Sequence, residues 1–272
     1  NNHIWVSFIT FVDKEIAMKL LQPHQTLAFC HAPVCAMRKE TTDQSEMISQ
    51  LTFGETVSVL GQESHWIHVQ SFTDGYVGFV DRRHLLGLTQ KEIQKWHDER
   101  VVSTAFLTKL STPWGIENIP SGSYITDSQE FAIGSHSFQQ SSIFPNKQGL
   151  ELAYELVNVP YLWGGKTSFG MDCSGLTQLF YHSLGYKLPR DSADQMDAGT
   201  NISWEDRREG DLVFFQNALG KIIHVGIFLK NDKILHASGR VRIDALVEKN
   251  IWNEELSEIT HTFHSVQRYL TF

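Results

Sequence analysis

The chain has 272 residues, 41% of them hydrophobic, with seven tryptophans, enough to bury more than one core and too many for a small disulfide-stapled scaffold. Twenty-three Lys and Arg against 31 Asp and Glu give a formal net charge of −8, which argues against a protein that tracks nucleic-acid phosphates but not against a ligand that carries an amine. Three cysteines cannot all pair within one chain, and no apolar run reaches the roughly 18 residues of a membrane span.

In chain order, residues 1–26 read as an N-terminal helical segment, with Ile16, Leu20 and Leu21 at helical spacing within 13–21. Residues 27–88 are short alternating runs (50–54, 56–60, 66–69, 76–80) punctuated by Gly54-Glu55, Gly61-Gln62 and Asp74-Gly75, the pattern of a small β-barrel. Thr89 can cap a short polar helix within 89–99 that reads as a connector. Residues 100–144 are again strand-like, rich in Ser, Thr and Gly, and predict a second small barrel. From 145 to 272 the pattern is mixed. Leu150, Leu152, Ala153, Leu156 and Val157 mark a helix ending before Pro160, and Leu176, Leu179, Phe180 and Leu184 mark another over 173–184, stopped by Gly185. Alternating runs at 211–215, 222–229, 233–237, 241–245 and 265–270 follow as strands, so helices precede an antiparallel sheet in an α+β domain.

Cys173 begins its helix, where unpaired N–H groups and a partial positive charge favour a thiolate. A lone cysteine is equally a buried structural residue, and two histidines weigh against that reading. His224 sits in the apolar run Ile222-Ile223-His224-Val225-Gly226-Ile227, and His236 in Ile234-Leu235-His236-Ala237-Ser238. A hairpin turning at 230–233 would bring both imidazoles to one face of a sheet, the proximity that a base and its orienting group require. Cys30 and Cys35 read as two unpaired strand cysteines, with a short-loop disulfide, or a metal pair with His31, as alternatives. His182, His261 and His264 are scattered and read as solvated or satisfied.

The blocks Tyr161-Leu162-Trp163-Gly164-Gly165, Asp172-Cys173-Ser174-Gly175-Leu176, Gly210-Asp211-Leu212-Val213-Phe214-Phe215, His224-Val225-Gly226-Ile227 and His236-Ala237-Ser238, in this order, resemble the NlpC/P60 family of papain-like cysteine peptidases that cut bacterial cell-wall peptides. The resemblance implies a triad of Cys173, His224 and His236, no cofactor and no metal, with Tyr161 lining the site. The two β-rich segments resemble bacterial SH3 domains, best in Asp74-Gly75-Tyr76-Val77-Gly78-Phe79-Val80, where Phe79 departs from the usual tryptophan. Two such barrels ahead of an NlpC/P60 domain resemble the γ-D-glutamyl-L-diamino-acid endopeptidases, which trim muropeptides bearing a free N-terminal L-alanine.

By that resemblance the first barrel closes one end of the groove, with Tyr76 and Glu40 meeting the substrate amine and Glu46 as the alternative glutamate. Asp172 is a further candidate for the amine. Ser174, Asp191 and Ser192 are implied as contacts to the peptide and its D-glutamate, although Asp191 and Ser192 read equally as a helix start, and Tyr76 as a barrel core residue. The expected partners are peptidoglycan stem peptides or muropeptides. The alternatives are a lytic hydrolase of intact stems, a non-catalytic wall-binding protein, and a Cys/His/His metal site. A chain numbered from Asn1 would suit a cleaved signal, placing the protein in the envelope or periplasm, with a cytoplasmic recycling enzyme as the alternative.

Overall fold

A computed structural model describes residues 21–141 and 147–269. The helix expected over 13–21 lies, apart from Leu21, outside the described residues. Among the described residues no helix is long and apolar enough to cross a membrane.

The first unit is a seven-stranded antiparallel sheet of β1 (Leu27–Cys30), β2 (Val34–Arg38), β3 (Met47–Thr52), β4 (Thr56–Glu63), β5 (Trp66–Ser71), β6 (Val77–Asp81) and β7 (Leu85–Gly87), in the order β3-β2-β6-β5-β4-β1-β7. Its core includes Met37, Leu51, Val57, Ile67, Val80 and the two buried free cysteines Cys30 and Cys35. Helix α1 (Gln90–Glu99) starts at a reciprocal capping box between Thr89 and Glu92, which satisfies two orphan N–H donors of its first turn. It is more than the polar connector expected from sequence. Ile93 and Trp96 are buried in a core shared with Phe29 and Phe53 of the first unit and Leu110, Ile119 and Phe138 of the second. The Trp96 indole N–H donates to the Gly54 carbonyl at 2.7 Å.

The second unit comprises β8 (Val101–Val102), β9 (Leu107–Thr112), β10 (Gly115–Pro120), β11 (Tyr124–Ile125), β12 (Glu130–Ile133) and β13 (His136–Gln140). Strands β10-β9-β13-β12 form a four-stranded sheet, with β8 and β11 as a separate pair.

The C-terminal unit opens with α2 (Leu150–Glu155), the short pair β14 (Lys166–Thr167) and β15 (Gly170–Met171), α3 (Cys173–Ser183) and α4 (Ser192–Ala198). A seven-stranded antiparallel sheet follows: β16 (Thr200–Ile202), β17 (Leu212–Gln216), β18 (Ile222–Leu229), β19 (Lys233–Ser238), β20 (Arg240–Val247), β21 (Asn250–Asn253) and β22 (Glu258–Arg268), in the order β16-β22-β17-β18-β19-β20-β21. β21 also pairs with β22, curling the sheet upon itself. The helices cover one face over Leu176, Leu179, Phe180, Leu212, Phe214, Val225 and Leu235, while Val213, Phe215, Phe228 and Ile234 form a second core on the other. The β18–β19 hairpin turns through Asn231 and Asp232, at φ 60 and 50, the left-handed pair that asparagine and aspartate tolerate in tight hairpins.

Candidate active site

Cys173 is the first residue of α3, a helix packed against β18. Asp172 is the N-cap, its carboxylate accepting the Gly175 N–H at 2.7 Å. Gly175 is needed for close approach, since a Cβ there would stand 2.2 Å from the Gly165 carbonyl oxygen. The Cys173 sulfur is hydrogen-bonded by the backbone of Val225, the residue after His224, and by that of Ser174.

His224 and His236 lie on the adjacent strands β18 and β19, with Gly226 directly opposite His236. A Cβ at Gly226 would come within 3.0 Å of the His236 Cβ, so glycine leaves room for the imidazole. His224 Nε2 and His236 Nδ1 are 2.8 Å apart. Beyond them His236 Nε2 lies 3.0 Å from Asp244 Oδ2, and Arg242 Nη2 donates to Asp244 Oδ1 at 2.9 Å. Arg242 also donates to Glu255 at 2.8 Å.

Electrostatics oppose one expectation. Burial, then the Asp172 charge, pushes the Cys173 thiol up to about 12, against the opposing hydrogen bond from Val225, the Arg190 charge and the hydrogen bond from Ser174. Desolvation thus opposes the thiolate that the terminal dipole of a helix start alone would favour. Burial, then His261 and His236, holds His224 well below the usual imidazole range. Burial likewise lowers His236 despite Asp244. A neutral thiol beside a neutral imidazole pair can exchange a proton as bonds change, with no charge stored beforehand.

Residues 158–261, which span this whole arrangement, match the NlpC/P60 family, and residues 37–85 match the bacterial dipeptidyl-peptidase SH3 domain. The C-terminal domain is thus similar to the NlpC/P60 family. The chain is 28% identical over 254 residues to a γ-D-glutamyl-L-lysine dipeptidyl-peptidase of Bacillus subtilis, covering 79% of this chain and 81% of that protein. It is 42% identical over 82 residues, 29% of this chain and 43% of the relative, to the murein DD-endopeptidase/murein LD-carboxypeptidase MepS of Escherichia coli. The crystal structure of an NlpC/P60 family protein from Bacillus cereus superposes with a TM-score of 0.75 at 19% identity, covering 90% of this chain and all (100%) of that one.

The SH3-like barrel lies directly against the NlpC/P60 domain. The Tyr76 hydroxyl donates to both Asp191 carboxylate oxygens, at 3.2 and 3.1 Å. The Trp163 indole N–H donates to Glu46 Oε1 at 2.9 Å. Glu46, the alternative glutamate, thus touches the catalytic domain, while Glu40 is exposed, and its described hydrogen bonds are made by its backbone, to the Ser45 hydroxyl and from the Thr42 N–H. Asp191 stands at the N-cap of α4 without a side-chain capping bond, which leaves its carboxylate to Tyr76. Ser192 is the first residue of that helix and partly exposed. Tyr161 is half-buried, its hydroxyl pushed up to about 12 by burial and then by the Cys173 and Asp172 charges.

Asp172 and Ser174, both expected at the substrate, are held within the fold, Asp172 by five donors. The Asp172 oxygens accept from Gly175, Gly164 (2.9 Å), Ser174 (3.2 Å) and both Arg190 Nη atoms (3.0 and 2.6 Å). Ser174 is buried, donating to Asp172 and accepting from Arg190 Nη1 at 2.8 Å, so its hydroxyl braces the helix start. His261, read from sequence as solvated or satisfied, stacks on His224 with ring centroids 4.1 Å apart. The metal alternative finds no support in this geometry, because His224 and His236 turn their facing nitrogens to each other, and among the described residues no group of three His, Cys, Asp or Glu side chains is arranged to hold an ion.

Proposed function

We propose that this protein is a peptidoglycan endopeptidase that hydrolyses the amide between D-glutamate, through its γ-carbonyl, and the following diamino acid in stem peptides with a free N-terminal L-alanine. The observation that carries the reading is the 2.8 Å His224–His236 pair beside a cysteine at a helix N-terminus. In the proposed mechanism the Cys173 sulfur attacks the γ-carbonyl carbon while His224 takes the thiol proton. The C–N bond breaks, His224 passes that proton to the leaving amine, and a thioester remains. Water then attacks the thioester with His224 again as base, releasing the glutamyl product and restoring the thiol. The Cys173 backbone N–H, an unpaired donor of the helix start, and the Tyr161 hydroxyl are proposed to hold the oxyanion.

The requirement for a free amine is supported by Tyr76 and Asp191, which pair a barrel hydroxyl with a carboxylate of the catalytic domain. We assign the ammonium to Asp191, whose carboxylate has no capping duty, with Glu46 and Trp163 as a second polar pair across the same domain boundary. Ser192 is proposed as a peptide contact, and the second β-unit as another SH3-like barrel. The murein-directed relative and the dipeptidyl-peptidase relative support a site of action in the cell envelope.

The test compares hydrolysis of L-Ala-γ-D-Glu-diamino-acid tripeptide with that of its N-acetylated form, using the intact chain and Cys173→Ala. Cleavage of the free tripeptide alone, lost in Cys173→Ala, is expected. Equal rates on both peptides would make the protein a hydrolase of glycan-linked stems, and activity retained by Cys173→Ala would remove the catalytic reading.

A further inference from the structure

The proposed mechanism needs one particular tautomer of His224, and His224 does not choose it alone. Of its two ring nitrogens, Nε2 faces His236 Nδ1 at 2.8 Å, while among the described residues no hydrogen bond engages Nδ1. To accept a thiol proton while keeping the His236 contact, His224 must carry its hydrogen on Nε2 and leave Nδ1 bare. That requires His236 Nδ1 to be an acceptor, so the hydrogen of a neutral His236 must sit on Nε2.

We propose that Asp244 is a positioning residue that sets this proton arrangement: its carboxylate, an acceptor only, draws the His236 hydrogen to Nε2 and thereby orients two imidazoles in series. The inference rests on the reading of Cys173 and His224 as nucleophile and base. Asp244 Oδ2 is 3.0 Å from His236 Nε2, and both side chains are buried, at 7% and 1% exposure. Its ionised state is secured on the other side by Arg242, which donates to Oδ1 at 2.9 Å and is itself paired with Glu255. Opposing the cost of burial, the hydrogen bonds from His236 and Arg242 hold the Asp244 carboxyl below its usual range. Also packed against the pair is His261 of β22, stacked on His224, while the backbone of Val225, next to His224, bonds the sulfur of Cys173, behind which Asp172 pairs with Arg190. His261 adds no carboxylate, so among the described residues Asp244 is the carboxylate that hydrogen-bonds the imidazole pair.

Arg242 makes Asp244→Asn a sharp probe. Arg242 approaches both oxygens, but only Nη2 donates, to Oδ1 at 2.9 Å, whereas Nε stands 2.9 Å from Oδ2 without a hydrogen bond; an amide that keeps its oxygen on Nη2 therefore turns its NH2 towards His236 Nε2. His236 would then have to bare Nε2 and carry its hydrogen on Nδ1, donating to His224 and moving the His224 hydrogen to Nδ1, where a base is needed. The variant has nearly the same shape and the opposite proton order.

The experiment is 15N NMR of the full chain with labelled histidine, together with kinetics on the free tripeptide. In the parent protein at neutral pH, His224 and His236 are expected to carry hydrogen on Nε2. In Asp244→Asn both should shift to Nδ1, with kcat falling by roughly tenfold or more and KM changing less than about twofold. In a His236→Asn background, Asp244→Asn should slow Cys173 alkylation by less than about twofold. A parent spectrum with the His236 hydrogen on Nδ1, or unchanged tautomers in Asp244→Asn, would overturn the proposal. The parent spectrum needs no variant to fold. Retained hydrolysis by Cys173→Ala would sink the functional reading while leaving the tautomer result standing.

Discussion

Arg190 grips Asp172 with both Nη atoms, at 2.6 Å and 3.0 Å, directly behind the proposed nucleophile. Both side chains are almost fully buried, and the pair holds the carboxylate that caps α3. Removing the guanidinium would leave an uncompensated charge in the interior. Arg190→Ala is expected to lose about 3–5 kcal/mol of stability in urea unfolding. An unchanged midpoint would show that Asp172 does not depend on Arg190.

The Tyr76–Asp191 contact predicts a defect confined to recognition. Asp191→Asn removes the charge proposed to meet the substrate ammonium, so KM for the free-amine tripeptide should rise roughly tenfold with kcat within about twofold of the parent. Tyr76→Phe should act in the same direction more weakly. A fall in kcat at constant KM would assign Asp191 to the chemistry instead.

The protonation state of the resting thiol can be tested by alkylation. With Cys173 pushed up to about 12 by burial and Asp172, the rate of modification by a neutral alkylating agent should keep climbing between about pH 6 and pH 9. A plateau already established in mild acid would indicate a preformed thiolate. Mass mapping separates this reaction from any at Cys30 or Cys35.

Buried histidines predict acid lability. Burial lowers His31, His224 and His236, takes His97 and His261 to about 4, and takes His182 to about 3. Each folded value lies below the unfolded 6.5, so the unfolded chain binds protons that the fold refuses. Stability is then full above about 6.5 and falls as pH drops through that value, by up to about 1.4 kcal/mol per pH unit for each histidine. His84, raised chiefly by its hydrogen bond with Cys35, acts oppositely, its contribution being lost as pH rises through its folded value. Six against one gives a melting temperature that declines from neutral pH towards pH 5. A flat or rising profile would contradict the balance.

Sequence reasoning reached the local elements well. The α3 helix and the β18–β19 hairpin carry their own signals, an apolar stripe closed by Gly185 and a turn through Asn231-Asp232. It did not reach groups whose partners arrive from far along the chain. That Asp172 caps α3 while Arg190 grips it becomes visible only when residues far apart in the chain are brought together. Asp244 was missed because β20 inverts the usual pattern, turning Arg242 and Asp244 inward while Ile243, Ala245 and Val247 face out. Polar residues at every second position of that strand were the available signal. His261 was misread because β22 reaches the site only through the sheet order, which no local pattern reports.

The barrel also reaches the nucleophile without touching it. Ser49 of β3 accepts from Arg190 Nε at 3.2 Å, Arg190 holds Asp172, and Asp172 caps the helix that begins with Cys173. Lys166, buried against Glu55 at 2.9 Å, pins the same boundary beside it. The wall of the groove and its floor therefore share one foundation. Moving the barrel relative to the catalytic domain would break the bonds that seat the helix start, so a rearrangement of one unit is felt by the other.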